Sequence, residues 1–269
     1  MTIKAVIRAW LPPRLLKLGS RLLNRDNVFV GNYSNWEDAE LKASGYDAKA
    51  IFERVRDAGI KVKQGGALYE RDSVCFYEES YRWPVLTCLL SIAAQNNGRL
   101  SVLDFGGSLG SFYFQHIKFL NKLKSVIWSV VEQAHFVDCG RHEFQSDRLK
   151  FYMSCNECAD VEAVNVVLLS SVLQYLKSPR TILNEISKVK AKYIIIDRTP
   201  FINSLHNRLT VQKVPSSIYK ASYPAWFFSY KVFDKMTEEI GYKIAHEFDC
   251  DDDVGIGEFK GYLLEKLEK

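Results

Sequence analysis

An aspartate followed by closely spaced glycines, Asp104-Phe105-Gly106-Gly107-Ser108-Leu109-Gly110, carries the sharpest chemical signal in the chain. Glycine lets the backbone turn tightly and lets a ligand approach it closely. Amides at the start of a following helix can then donate to that ligand. Two ligand classes use such a turn: a dinucleotide, which lays its pyrophosphate there, and S-adenosylmethionine, which lays its amino-acid end there. An acid directly before the glycines repels a pyrophosphate and suits an ammonium group, directly or through water. Glu132 ends the next apolar run, where a carboxylate can accept hydrogen bonds from both hydroxyls of a ribose. NAD enzymes share that second feature, so it supports a nucleoside without choosing the cofactor. Taken together the residues favour S-adenosylmethionine, with Asp104, Gly106, Gly107, Ser108, Gly110, Glu132 and Gln133 as its candidate contacts.

The acceptor side is read from the ends of later apolar runs, because ligands in open parallel sheets lie beyond the carboxyl ends of the strands. Ser170 and Ser171 close one such run and are candidate linings of the cofactor pocket; Gln174 follows them, and Asp197 and Arg198 close the next. The segment 199–230 is an insertion with polar residues (Asn203, His206, Asn207, Arg208, Gln212, Lys213) and aromatic ones (Tyr219, Tyr223, Trp226, Phe227, Phe228, Tyr230). Aromatic faces beside amides and cations can hold a sugar ring or a phosphorylated carrier; a lid or a homodimer contact is the competing reading. Gln174, Arg198, Gln212, Tyr223 and Trp226 are the substrate-binding candidates. Transfer to a hydroxyl calls for a base, whereas an amine needs only orientation and desolvation. Asp197 and His206 are the candidate bases, with His116 and His135 as alternatives. Cys155 and Cys158 have the spacing of half a zinc or redox site, but no second pair exists, so no metal is expected.

The elements that must position these groups alternate from residue 99 onward. Runs 101–105, 125–131, 149–153, 164–169 and 193–196 read as strands. Helical segments are expected at 112–120, 136–144 and 179–189. Alternation of this kind predicts a parallel sheet covered by helices on both faces. A helix over 230–240 stops at Gly241, and two strands, 242–248 and 259–264, follow with an acidic link between them. They predict an antiparallel hairpin at the sheet edge. Before residue 99, Asn35 or Ser34 can cap a helix starting near Trp36. A second helix reads from Asp47 to Arg56 and ends at Gly59, and a third from Tyr81 to Ala94 carries Pro84 in its first turn. The expected organisation is an N-terminal helical cap over 1–98 and an α/β domain over 99–269 with the insertion at 199–230.

The bulk properties exclude several classes. With 269 residues, 47% hydrophobic and 25% charged, the chain is a globular protein long enough to bury a sizeable core. A net charge of +4 without strong clustering argues against a nucleic-acid partner. Scattered cysteines, no signal peptide and no membrane span point to a reducing, cytoplasmic setting. The first 25 residues are basic (Lys4, Arg8, Arg14, Lys17, Arg21, Arg25) with apolar residues at helical spacing. Such a helix can lie peripherally on an anionic membrane or pack on the protein body.

Several separated motifs resemble one family. Gly31-Asn32-Tyr33-Ser34-Asn35-Trp36, the glycine turn at 103–110, Ser170-Ser171-Val172-Leu173-Gln174-Tyr175-Leu176 and Asp197-Arg198-Thr199-Pro200 are similar to a family of bacterial methyltransferases typically found in gene clusters for O-antigen and other surface polysaccharides. The resemblance covers roughly residues 28 to 265. It implies a Rossmann-like class I fold with a mostly parallel seven-stranded sheet and S-adenosylmethionine as cofactor. It also implies an acceptor among sugars or lipid-linked saccharides of that pathway, without defining which. Asn165 departs from the family, whose members often have Asp there; an amide replaces the hydrogen bonding but not the charge. The competing functions are an NAD-linked oxidoreductase, against which Asp104 and the C-terminal hairpin argue, and a non-catalytic scaffold in a polysaccharide assembly complex.

Overall fold

The computed structural model describes residues 28–43, 48–214, 221–250 and 256–268. The basic N-terminal segment, Tyr219 and most of the acidic link of the last hairpin lie outside them. In chain order the elements are β1 (Val28–Tyr33), α1 (Trp36–Lys42), α2 (Ala48–Lys63), β2 (Tyr69–Arg71), β3 (Val74–Phe76), α3 (Trp83–Gln95), β4 (Arg99–Phe105), α4 (Ser111–Leu120), β5 (Ser125–Val131) and α5 (Ala134–Cys139). A π-turn, Gly140–Phe144, continues α5; then come β6 (Leu149–Tyr152), α6 (Cys155–Val161), β7 (Val166–Ser170) and a 3-10 turn, Leu173–Tyr175. The chain goes on through α7 (Pro179–Lys188), β8 (Tyr193–Ile202), β9 (Arg208–Lys213), β10 (Ser222–Ser229), α8 (Tyr230–Glu239), β11 (Tyr242–Asp249) and β12 (Glu258–Lys266).

The central strands lie in the order β6-β5-β4-β7-β8-β12-β11, and β12 alone among them runs antiparallel to its neighbours. Strands buried on both faces must be apolar throughout, and Val166 to Leu169 in β7 and Ile194 to Ile196 in β8 are fully buried. The chain moves from β4 outward to β5 and β6, then crosses back to place β7 on the other side of β4. This reversal opens a crevice above the carboxyl ends of β4 and β7. The hairpin of β11 and β12 forms the far edge, as its two uninterrupted strands predicted.

The sheet is larger than the seven strands expected. β8 runs past the end of β7, and its tip, Phe201–Ile202, pairs in parallel with Phe228–Ser229 of β10. From there β10, β9 and β1 continue as an antiparallel extension, giving ten strands among the described residues. A bulge permits the overrun. Thr199 and Ile196 of β8 face Lys260 and Tyr262, so Asp197 and Arg198 together oppose the single Gly261, and Arg198 takes a φ of 51°. Bulges bend a strand and re-aim its side chains. The N-terminal region, expected to be helical, thus supplies one strand to this extension and a small β2–β3 hairpin. That hairpin turns through Asp72 and Ser73, both at positive φ, the geometry of a two-residue turn matched to strand twist.

Other boundaries moved for local reasons. α2 does not stop at Gly59: a Cβ there would sit 3.1 Å from the Phe144 ring, so the glycine serves close packing inside the helix. Asn35 does cap α1, its side chain accepting from the Asp38 amide at 2.8 Å. Residues 155–161, expected as loop, form α6, capped by Ser154, which accepts from the Glu157 amide, while Glu157 reaches back to the Met153 amide at 2.6 Å. The Ser-x-x-Glu spacing that signals such a start was present in the sequence. It makes Cys155 and Cys158 buried helix residues, and burial pushes their thiols up to about 11 and about 12. No group of three metal-ligating side chains occurs among the described residues. Among them, too, no helix is long and apolar enough to cross a membrane.

Candidate functional site

The glycine turn leaves β4 and enters α4 with positive φ at every second residue: Gly106 (72°), Ser108 (56°) and Gly110 (87°). Gly106 must be glycine for a second reason. A Cβ there would lie 2.6 Å from Val172 on the loop after β7, so the two strand ends close on one another at this point. Ser108 accepts a conformation that few non-glycine residues adopt, and its amide thereby points at the end of β5. There the Glu132 carboxylate accepts from the Ser108 amide at 3.3 Å and from the Gln133 amide at 2.8 Å. Burial raises the Glu132 pKa and these two bonds oppose the rise. The turn and the strand-end acid expected from the sequence are therefore brought together, and Gln133 starts α5 beside them.

Asp104 is placed differently from the expectation. It is 2% exposed, accepts from the Trp128 indole N–H at 2.9 Å, and lies against Gly107, where a Cβ would come within 2.5 Å of its carboxyl. A carboxyl turned inward onto an indole braces the glycine turn from below. Burial pushes its pKa up to about 7, and the charge of Glu132 adds to the rise. An unfolded aspartate titrates near 3.8. Between those values the folded chain holds a proton that the unfolded chain has lost, so stability falls as pH rises from about 4 to 7. Glu70, which burial pushes up to about 7, acts in the same sense; His116, held down to about 4 by burial, acts in the opposite one. Asp104→Asn keeps an acceptor for Trp128 and removes one titration. Its melting temperature should fall less between pH 5 and 8 than that of the wild type; parallel profiles would remove this assignment.

The structure places the candidate bases in different settings. Asp197 is 0% exposed, and both its oxygens are occupied: Oδ1 accepts from Arg82 Nη2 at 2.6 Å and Oδ2 from the Ser170 hydroxyl at 2.8 Å, with the Cys250 thiol 3.6 Å from Oδ1. It is the anion of a buried ion pair. His206 lies in the exposed turn between β8 and β9. His116 is buried; its Nδ1 lies 2.9 Å from the Phe112 carbonyl and its Nε2 accepts from the Arg82 amide at 3.0 Å. It is a neutral, structural histidine. His135 is exposed and packs edge-on against Phe52. With Arg56, Cys139 and Glu143, His135 and Phe52 line a groove of about 650 Å³.

Most of the acceptor candidates do converge. Gln174 is 1% exposed, and its amide donates to the Ser171 hydroxyl at 3.3 Å and to the Arg198 carbonyl at 3.2 Å. Ser171, at φ 57°, donates its amide to the Asp197 carbonyl at 2.9 Å. Gln212 on β9 and Tyr223 on β10 are register partners, and both meet Tyr175, which sequence reasoning had quoted only as part of a motif. The Tyr175 hydroxyl donates to Gln212 Oε1 at 2.8 Å, and its ring meets that of Tyr223 at 5.1 Å. Trp226 does not join them. Three residues on along β10, it faces the other side, where it donates to the Leu176 carbonyl at 3.1 Å and tilts against Trp36. Arg82 was also missed, because nothing local in the sequence marks a partner for Asp197 so distant in the chain. Asn165 does what an amide can: its Oδ1 accepts from the Ser101 amide at 2.9 Å.

No family model matches the sequence, and no curated protein does. Similarity appears among solved structures. The N-terminal domain of EvdMO1, crystallised with S-adenosylhomocysteine and D-fucose, is 11% identical and superposes with a TM-score of 0.50 over 83% of this chain and 98% of its own. The 1,6-didemethyltoxoflavin-N1-methyltransferase of Burkholderia thailandensis is 13% identical, with a TM-score of 0.47 over 84% of this chain and 92% of its own. CalS10, an amino pentose methyltransferase from Micromonospora echinaspora, is 12% identical, with a TM-score of 0.46 over 70% and 92%. At such identities the likeness is one of fold. Joined to the strand order and the antiparallel β12, it shows that the chain has the Rossmann-like α/β fold of class I S-adenosylmethionine-dependent methyltransferases.

Proposed function

We propose that the chain is an S-adenosylmethionine-dependent methyltransferase acting on a sugar or another intermediate of surface-polysaccharide assembly. The observation that carries the cofactor is Glu132, held between the Ser108 and Gln133 amides at the switch point of the sheet. A carboxylate at that place suits the paired hydroxyls of a ribose, and a glycine turn that opens a helix suits the amino-acid end. S-adenosylmethionine, when bound, supplies an electrophilic methyl on a sulfonium centre. The chain's residues bind and orient it. Glu132 takes the ribose, the turn takes the methionyl end, and Asp104 keeps the turn in shape through Trp128. Ser170 and Ser171 border the same crevice from β7.

The sugar rests on the motif resemblance and on the amide and aromatic side chains gathered around Tyr175. EvdMO1, of the same fold, was crystallised with D-fucose beside S-adenosylhomocysteine, which supports a saccharide acceptor here. A lipid-linked acceptor would suit a peripheral membrane contact through residues 1–25, which lie outside the described residues, and a homodimer belongs to the same reading. Calorimetry on the full chain tests the core of the proposal. S-adenosylhomocysteine should bind with micromolar or tighter affinity and NAD should give no heat; the reverse pattern would establish a dinucleotide enzyme instead.

A further inference from the structure

Tyr175 stands where the two halves of the molecule meet. It ends the 3-10 turn that follows β7, so it is anchored next to Ser170 and Ser171 on the cofactor side. Its hydroxyl reaches Gln212 on the β1-β9-β10 extension, and the Gln174 side chain beside it in the chain donates to the Ser171 hydroxyl. Burial pushes this phenol up to about 12, so it stays a neutral donor at every physiological pH. Gln174 Oε1 is buried and has no hydrogen-bond partner among the described residues. A buried carbonyl left unpaired costs about 1–3 kcal/mol, and it stands one residue from the phenol. Tyr223 adds an aromatic ring at 5.1 Å. The strongest nearby anion, Asp197, is cancelled by Arg82, and the charges that do face Tyr175, Asp72 and Arg198, are of opposite sign.

Neutral donors and acceptors, an orphaned amide carbonyl and one aromatic face make up the chemistry that grips a pyranose: hydroxyls to amides and phenol, ring C–H groups to the arene. We propose that Tyr175, Gln174, Gln212 and Tyr223 form the acceptor subsite, that it takes a neutral pyranose, and that the Tyr175 hydroxyl orients one sugar hydroxyl toward the crevice between β4 and β7. The inference deepens the methyltransferase reading and rests on it for the identity of what fills that crevice. It assigns the wall of the subsite to the inserted strands, which explains why β8 overruns β7: the bulge at Asp197–Arg198 carries the strand out to where β10 and β9 can present Tyr223 and Gln212.

The test uses the full chain saturated with S-adenosylhomocysteine, with D-fucose and D-galactose as probes in saturation-transfer NMR. Wild-type protein should transfer saturation to the ring protons of at least one sugar. Tyr175→Phe and Gln212→Leu should each weaken that sugar's binding about fivefold, the loss of one hydrogen bond, while S-adenosylhomocysteine affinity from calorimetry stays within about twofold. A purely structural role would lower the melting temperature and disturb cofactor affinity together. Tyr223→Leu, which removes only a half-buried ring, provides the check should either variant fold poorly. Wild-type protein that binds S-adenosylhomocysteine but no pyranose overturns the subsite, as does unchanged sugar binding in all three variants. Failure of S-adenosylhomocysteine to bind would instead sink the methyltransferase reading, and the sugar signal would still decide the subsite.

Discussion

Glu132→Ala is expected to weaken S-adenosylhomocysteine binding by about 10- to 100-fold. The carboxylate already bridges two amides in the free protein, Ser108 N at 3.3 Å and Gln133 N at 2.8 Å. Removing it leaves both amides and the ligand's ribose hydroxyls without an acceptor. One unpaired buried group costs about 1–3 kcal/mol, and each 1.4 kcal/mol is tenfold in affinity. Glu132→Gln is the sharper probe of mechanism. An amide presents one acceptor oxygen and one NH2, so it can satisfy one backbone N–H but sets a donor against the other. Its loss should therefore approach that of the alanine variant, even though its shape is nearly native. Isothermal calorimetry measures both; affinity within twofold of wild type in each would remove Glu132 from the cofactor site.

The second large effect is on stability. Arg82 stands at the start of α3, and its guanidinium, only 14% exposed, meets the fully buried Asp197 at 2.6 Å. The same residue donates its backbone N–H to His116 on α4. Truncating one member of a buried pair strands the other charge, at a cost of about 3–5 kcal/mol. Arg82→Ala should thus lower unfolding free energy by about that amount in urea melts. The paired change Arg82→Met with Asp197→Leu should recover much of it, because two apolar side chains leave no charge behind. A double variant as unstable as Arg82→Ala alone would mean that Ser170 and Cys250, which also contact Asp197, matter more than the ion pair. In either case Asp197 holds Arg82 at the start of α3 against Ser170 at the end of β7.

Asp104, Asp197 and Tyr175 together show where local reading stops. The place of Asp104 before the glycines is legible in the sequence, but the direction of its carboxyl depends on Trp128 in a neighbouring strand. Asp197 was recognised as a strand-end acid, but its partner lies 115 positions away. Tyr175 was quoted only within a motif, since a tyrosine in a short turn is unremarkable until a glutamine 37 positions on accepts its hydroxyl. In each case the residue type was legible and its partner was not.

By itself the sequence determined the parallel core, the glycine turn, the acid at the end of β5 and the final hairpin. Those features are local: apolar runs buried on both faces, glycines where φ is positive, and two strands with no helix between them. Only the tertiary structure decided that Val28–Tyr33 joins residues near 210 in a sheet, that β8 overruns its neighbour, and that Gln212 and Tyr223 share a face while Trp226 takes the other. Strand pairing between distant segments fixes those outcomes. Because side chains alternate along a strand, a shift of one residue in register would have exchanged the faces, and no local pattern in the chain specifies that register.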